Sequence, residues 1–275
     1  YKQPRHKIVI GSIFIIFALE ITAVTMRTMI SGRAPVTNMY ETVMWVGLGS
    51  LLFATILAMF RKEKLFLLGG LTLNPACLFM MTFANNMLSP SIQPLVPVLR
   101  DNFWLSTHVT MITISYAALA LSWMMANYYL IRATLKPVDS KQTAYLTSLC
   151  YDCIKIGVVL LAGGIILGGV WADYSWGRFW GWDPKETWSL IALLLYIAIL
   201  HGRFAGWINN QRFIPCVALA FLSIMMAWFG VNYILATGLH SYGFSNGGLA
   251  FLLTIFITQF AILILYYLRK KTLPN

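Results

Sequence analysis

The sequence predicts an all-α membrane protein of about eight transmembrane helices with both termini cytoplasmic. Three observations predict it. Of 275 residues, 59% are hydrophobic and only 11% are charged, which is more apolar surface than a water-soluble chain can hide. Eight mostly apolar runs of about 20 residues, the length that crosses a bilayer, fall at roughly 8–29, 38–60, 65–84, 107–132, 153–173, 186–204, 213–236 and 247–268. Fifteen Lys and Arg residues lie on one side of these crossings and five on the other, with no reversal; the richer side is the cytoplasmic one. The same asymmetry accounts for the net charge of +11, so no nucleic-acid partner is expected; the lipid bilayer is. Residues 1–275 read as a single transmembrane domain.

Taken in order, the first run holds Glu20 well inside lipid, where an ionised carboxylate is costly. Three readings stay open: it is protonated, it pairs with a neighbouring helix, or it meets a partner protein. The second run opens on Asn38-Met39-Tyr40-Glu41, where a first-turn carboxylate suits the helix dipole. The fourth opens on Ser106-Thr107-His108. Before the fifth stands Cys150-Tyr151-Asp152-Cys153, a C-x-x-C on the cytoplasmic side, where thiols stay reduced; it reads as coincidence rather than a redox pair. The fifth run contains Gly163, Gly164, Gly168 and Gly169, a spacing that lets helices approach closely.

Between runs five and six lies an external segment, 171–188, with five of the chain's ten tryptophans. A membrane interface favours tryptophan, but that habit explains one or two. Trp176, Gly177, Trp180 and Trp182, rings alternating with side-chain-free positions, suggest a flat surface for a large planar molecule. Asp183-Pro184-Lys185-Glu186 reads as a helix start with a capping box. The external cations Arg178 and Lys185 read equally as interfacial charges and as partners for carboxylates of that molecule.

The chain has four histidines. His6 sits in the basic amino-terminal tail without a special role. His108 and His240, the latter in Gly238-Leu239-His240-Ser241-Tyr242-Gly243, fall on the same outer face as the Trp-rich segment. Two imidazoles beside an aromatic surface fit the two axial positions of haem iron. His201 lies about 22 Å along the sixth helix, in the cytoplasmic third of the membrane. It is an interfacial helix-end residue or a ligand at a second haem position.

Trp-Gly-Arg-Phe-Trp-Gly-Trp-Asp-Pro-Lys-Glu-Thr-Trp, from Trp176 to Trp188, resembles the WWD signature of haem-handling cytochrome c biogenesis proteins of the CcsA, CcmC and CcmF kind. Asn38-Met39-Tyr40-Glu41-Thr42, the helix from His108 to Leu119, Phe229-Gly-Val-Asn and the segment Gly238–Gly243 match further elements in order, most closely those of the CcsA branch of the system II pathway. The resemblance implies that His108 and His240 are catalytic axial ligands of an external haem b. It implies that the segment from Trp176 to Asp183, with Arg178, holds that haem's edge, and that His201 is a membrane-embedded ligand. The implied activity is cytochrome c synthetase, a lyase joining haem to the Cys-x-x-Cys-His segment of apocytochrome c. It would act on the exoplasmic or periplasmic face of a bacterial inner membrane or thylakoid, together with a CcsB-type partner or fused amino-terminal half. A haem transporter without synthetase activity and a bis-His electron-transfer cytochrome are the rival readings.

Overall fold

The computed structural model describes residues 4–95, 97–235 and 248–272. Eight helices within them are long and apolar enough to cross a membrane. They are α1 (Pro4–Ser31), α2 (Met39–Arg61), α3 (Leu65–Phe83), α4 (Asn102–Leu135), α5 (Ser140–Trp176), α6 (Pro184–Phe204), α7 (Asn210–Leu235) and α8 (Gly248–Thr272). No strand occurs among the described residues.

Helix α4 is the hub, packing on α2, α3, α5, α7 and α8. Its buried face carries Ser115, Ala117, Ala118, Ala120, Ser122 and Ala126. Lipid gives helices little hydrophobic reason to associate, so close approach of small residues supplies the contact instead. Gly157 of α5 shows how tight that contact is: a Cβ there would lie 2.5 Å from the Leu119 side chain.

Asp139 starts α5 by accepting from the Gln142 N–H at 2.6 Å. The helix therefore begins at Ser140 rather than near 153, and at 37 residues it runs about 55 Å, well beyond a 30 Å hydrocarbon core. This correction moves the C-x-x-C from the mouth of a helix into its body. Cys150 and Cys153 are unpaired and buried, and the Cys150 thiol lies 3.7 Å from the Ser122 carbonyl of α4. Both occupy packing positions.

Helix α1 stands apart, with most of its side chains exposed. Among the described residues, polar ties to α3 and α2 hold it. The Asn74 side-chain amide of α3 donates to Glu20 at 2.6 Å, so Glu20 pairs with a neighbouring helix. Arg27 meets Glu41 at 2.7 Å, with the two side chains 14% and 1% exposed. Glu41 also accepts from the backbone N–H and hydroxyl of Thr37, so it organises the α1–α2 connection besides facing the helix dipole. Arg27→Met strands that buried carboxylate. We expect a cost of about 3 kcal/mol, read as a lower thermal midpoint in detergent. An unchanged midpoint would show that Thr37 alone satisfies Glu41.

Candidate functional site

The site lies where the start of α4, the end of α5, the 177–183 segment and the first turns of α2 and α6 converge. Asp101 caps α4 by accepting from the N–H groups of Phe103 and Trp104. The next turn, Leu105–Val109, is a widened π-turn, and His108 belongs to it. Such turns cluster at functional sites because they re-aim a side chain without ending the helix.

His108 is seated by the glycines of α5. Its Nδ1 lies 2.8 Å from the carbonyl oxygen of Gly164. A carbonyl only accepts, so Nδ1 carries the proton and Nε2 holds the lone pair of the neutral ring. Metal-binding histidines are commonly oriented through their other nitrogen in this way. One turn along, a Cβ on Gly168 would stand 2.5 Å from His108 Cε1. The Trp171 ring packs edge-on against the imidazole at 5.8 Å. The glycine spacing is thus a packing device, as expected, and what it packs is the candidate ligand.

The Trp-rich segment is shaped by one carboxylate. Helix α5 stops at Gly177, which takes the left-handed conformation at φ +67° that favours glycine at a helix C-terminus. Glu186 then gathers the segment: it accepts from Gly181 N–H at 2.7 Å, Asp183 N–H at 3.2 Å and the Arg178 guanidinium at 3.1 Å. Asp183 returns the bond to the Glu186 N–H, completing the expected capping box. Arg178 lies where a Cβ on residue 181 would have to be, which makes Gly181 a requirement of the Arg178–Glu186 contact. Arg178 also sits 5.5 Å from the Trp176 ring centre.

The expected flat aromatic shelf is not what these residues build. Trp180 and Trp182 meet edge to face at 88°. Trp182 is 68% exposed and adopts φ +57°, a conformation costly for a non-glycine residue and common at functional sites. Trp180 turns inward and lines a cavity with His108 and Trp171. The alternating glycines serve a helix cap and a guanidinium rather than a planar surface.

That cavity measures about 150 Å³. Val36, Leu99, Ile112 and Phe179 give it apolar walls. Asn232, in a second π-helical stretch, Met226–Leu235 of α7, also lines it. There the Trp228 indole donates to Thr42 Oγ1 at 2.9 Å, and the Asn232 amide donates to Met39 Sδ at 2.8 Å. Lys185 Nζ reaches Asn232 Oδ1 at 3.4 Å. Sequence reasoning assigned no role to Trp171 beyond its place in the segment, nor to Thr42 or Asn232. Thr42 and Asn232 stand in the sequence only as members of the matching elements Asn38–Thr42 and Phe229–Asn232.

His201 lies far from this cavity, in the last turn of α6. Its ring is exposed and packs edge-on against Trp207 at 5.5 Å. Leu194, Ile197 and Phe204 share its outward strip, so His201 faces away from the bundle. His240 falls outside the described residues, as does the His6 side chain. Among the described residues no three His, Cys, Asp or Glu side chains converge on a point that could hold a bare metal ion. One oriented imidazole over an apolar slot fits a metal that brings its own equatorial ligands, as haem iron does.

Residues 36–240 match the family model described as "Cytochrome C assembly protein". The chain is 37% identical over 234 residues to Protein NrfI of Wolinella succinogenes, covering 83% of this chain and 25% of that protein. It is 37% identical over 242 residues to the cytochrome c biogenesis protein CcsA of Guillardia theta, covering 78% and 79%. With CcsA of Chlamydomonas reinhardtii identity is 37% over 229 residues, covering 78% and 63%. The chain thus spans about a quarter of the length of NrfI and most of the Guillardia protein.

Proposed function

From the premise that this chain belongs to the cytochrome c assembly family and is an integral membrane protein, we propose that it presents haem b for covalent attachment to apocytochrome c. In this reading the cavity opens on the exoplasmic side, which the Lys and Arg asymmetry supports, and the chain works with a CcsB-type partner or fused half. The observation that carries it is the seating of His108: a part-buried Nδ1–H to the Gly164 carbonyl at 2.8 Å that aims the other nitrogen's lone pair as a metal ligand requires.

His108 and His240 would hold the haem iron. The Trp-rich segment, with Trp180 inward, shields the inner edge from water. Each thiol of the Cys-x-x-Cys-His peptide adds S–H across a vinyl C=C, forming one C–S and one C–H bond with no net oxidation. The peptide's histidine would take the place of one imidazole, freeing the product. The chain's contribution is positioning. The exposure of His201 on a lipid-facing strip supports a second, inner haem position whose opposite ligand belongs to the partner.

The test is a pair of variants, His108→Ala and His240→Ala, purified in detergent with bound haem. Each should lose the low-spin reduced spectrum and reduce holocytochrome c formation to background. Unchanged spectra in both would reject the ligand assignment. Normal spectra and export with no thioether product from purified components would favour the transporter.

A further inference from the structure

Five carboxyl groups are buried among the described residues, and their partners set one apart. Glu41, Asp152 and Glu186 each face a guanidinium, and Asp183 accepts two backbone N–H groups at the start of α6. Glu20 makes no ion pair among the described residues. Its partner is neutral: the Asn74 amide, which donates to Oε1 at 2.6 Å. Glu20 lies midway along the apolar span Ile8–Ser31 and Asn74 midway along α3, which puts the pair near the bilayer centre.

Two atoms of this pair are left over. Glu20 Oε2 and Asn74 Oδ1 are both buried without a hydrogen-bond partner among the described residues, in residues 9% and 1% exposed. If Glu20 were ionised, both atoms would be acceptors and neither could satisfy the other. A protonated carboxyl gains one O–H donor, so a single proton on Oε2 satisfies both. The two side chains then close a ring of two hydrogen bonds, Nδ2–H to Oε1 and Oε2–H to Oδ1. The surroundings supply no counter-charge. On α1, Arg27 stands two turns away and is held by Glu41. From α2, Gly47 faces the pair, where a Cβ would lie 3.6 Å from Asn74 Nδ2 and 3.0 Å from Cys77 Cβ. The Cys77 thiol of α3 is the titratable neighbour among the described residues. An ion there without a counter-charge is costly.

We propose that Glu20 holds a proton in the middle of the bilayer at neutral pH and, with Asn74, forms an acid–amide pair that latches α1 to the bundle. Helix α1 needs such a tie. Only 11% of its apolar window is buried in the protein, against 22% or more for the other seven spans. Apolar side chains alone give a helix little reason to stay, because lipid tails solvate them as well as protein does, whereas hydrogen bonds between helices do hold. Ionised, the pair would set carboxylate oxygen against carboxamide oxygen in hydrocarbon. The latch therefore lasts as long as the proton does.

The experiment records infrared spectra of the full chain in lipid near neutral pH, wild type minus Glu20→Gln. The difference should show the C=O stretch of a protonated acid, and isotope-labelled glutamate in the wild-type chain should move the same band. Asn74→Leu should shift that band to higher frequency, because the carbonyl loses its donor. A carboxylate band in place of the acid band overturns the proposal, and the labelled wild type decides this whether or not the variants fold. Thermal midpoints test the latch. Glu20→Gln keeps both bonds, its amide N–H replacing the acid O–H, and should keep the wild-type midpoint, while Glu20→Ala and Asn74→Leu should each lower it. Equal falls in Glu20→Gln and Glu20→Ala overturn the acid–amide pair. As alkali removes the acid band, the wild-type midpoint should drop below that of Glu20→Gln. A gap that opens while the band persists overturns the latch's dependence on the proton.

Discussion

Gly168→Val should abolish the His108 site while leaving the membrane bundle assembled. A Cβ at 168 would stand 2.5 Å from Cε1, 2.9 Å from Nδ1 and 3.1 Å from Nε2 of His108, so the whole imidazole must leave its seat. The bond from Nδ1 to the Gly164 carbonyl goes with it, since carbonyl and glycine face the same ring one turn apart. Helix α5 itself tolerates the change, because Gly168 has no left-handed φ. We expect a stability cost of about 1–3 kcal/mol from overpacking and a haem spectrum like that of His108→Ala. Gly163→Ala is the matched control. Its Cβ would meet only the sulfur of Met111 at 3.0 Å, a flexible side chain that can move, so its spectrum should stay normal. A wild-type spectrum in Gly168→Val would mean that the glycine is mere helix packing.

The contrast between those two glycines marks where the sequence stops being informative. Eight apolar runs and the charge asymmetry gave the helix count, because membrane thickness and loop charge act on composition alone. The Asp183 capping box was legible for the same reason: it is a local backbone pattern with a fixed spacing. Which glycine touches His108 was not legible, since that depends on how α4 and α5 rotate against each other. The π-turns at Leu105–Val109 and Met226–Leu235 were also hidden, because no local residue pattern announces a wider turn. Reading Trp176, Trp180 and Trp182 as a flat shelf failed for a related reason. Alternation fixes ring directions in a strand, whereas this segment is an irregular loop whose path Glu186 dictates.

Glu186→Ala should therefore damage the site far more than its role in a helix cap suggests. A cap interaction contributes about 1 kcal/mol, and Asp183→Ala, which removes the side-chain half of the capping box, should cost about that much. Glu186 is 9% exposed and receives three donors, at 2.7, 3.1 and 3.2 Å. Removing it leaves two loop amides and the Arg178 guanidinium without their acceptor in a part-buried setting, a loss nearer 3–5 kcal/mol. The loop then has no reason to hold Trp182 at φ +57°, a conformation that persists only where its surroundings impose it. Trp180 loses its inward placement with it. We expect fast hydrogen exchange at the Gly181 and Asp183 amides, slowed in Glu186→Gln, which keeps one acceptor oxygen. Haem affinity should fall at least 10-fold in Glu186→Ala and little in Asp183→Ala. Equal losses in the two would show that Glu186 acts only through the start of α6. A gap between them, with exchange confined to 177–183, would show that one buried carboxylate sets the shape of the whole Trp-rich wall.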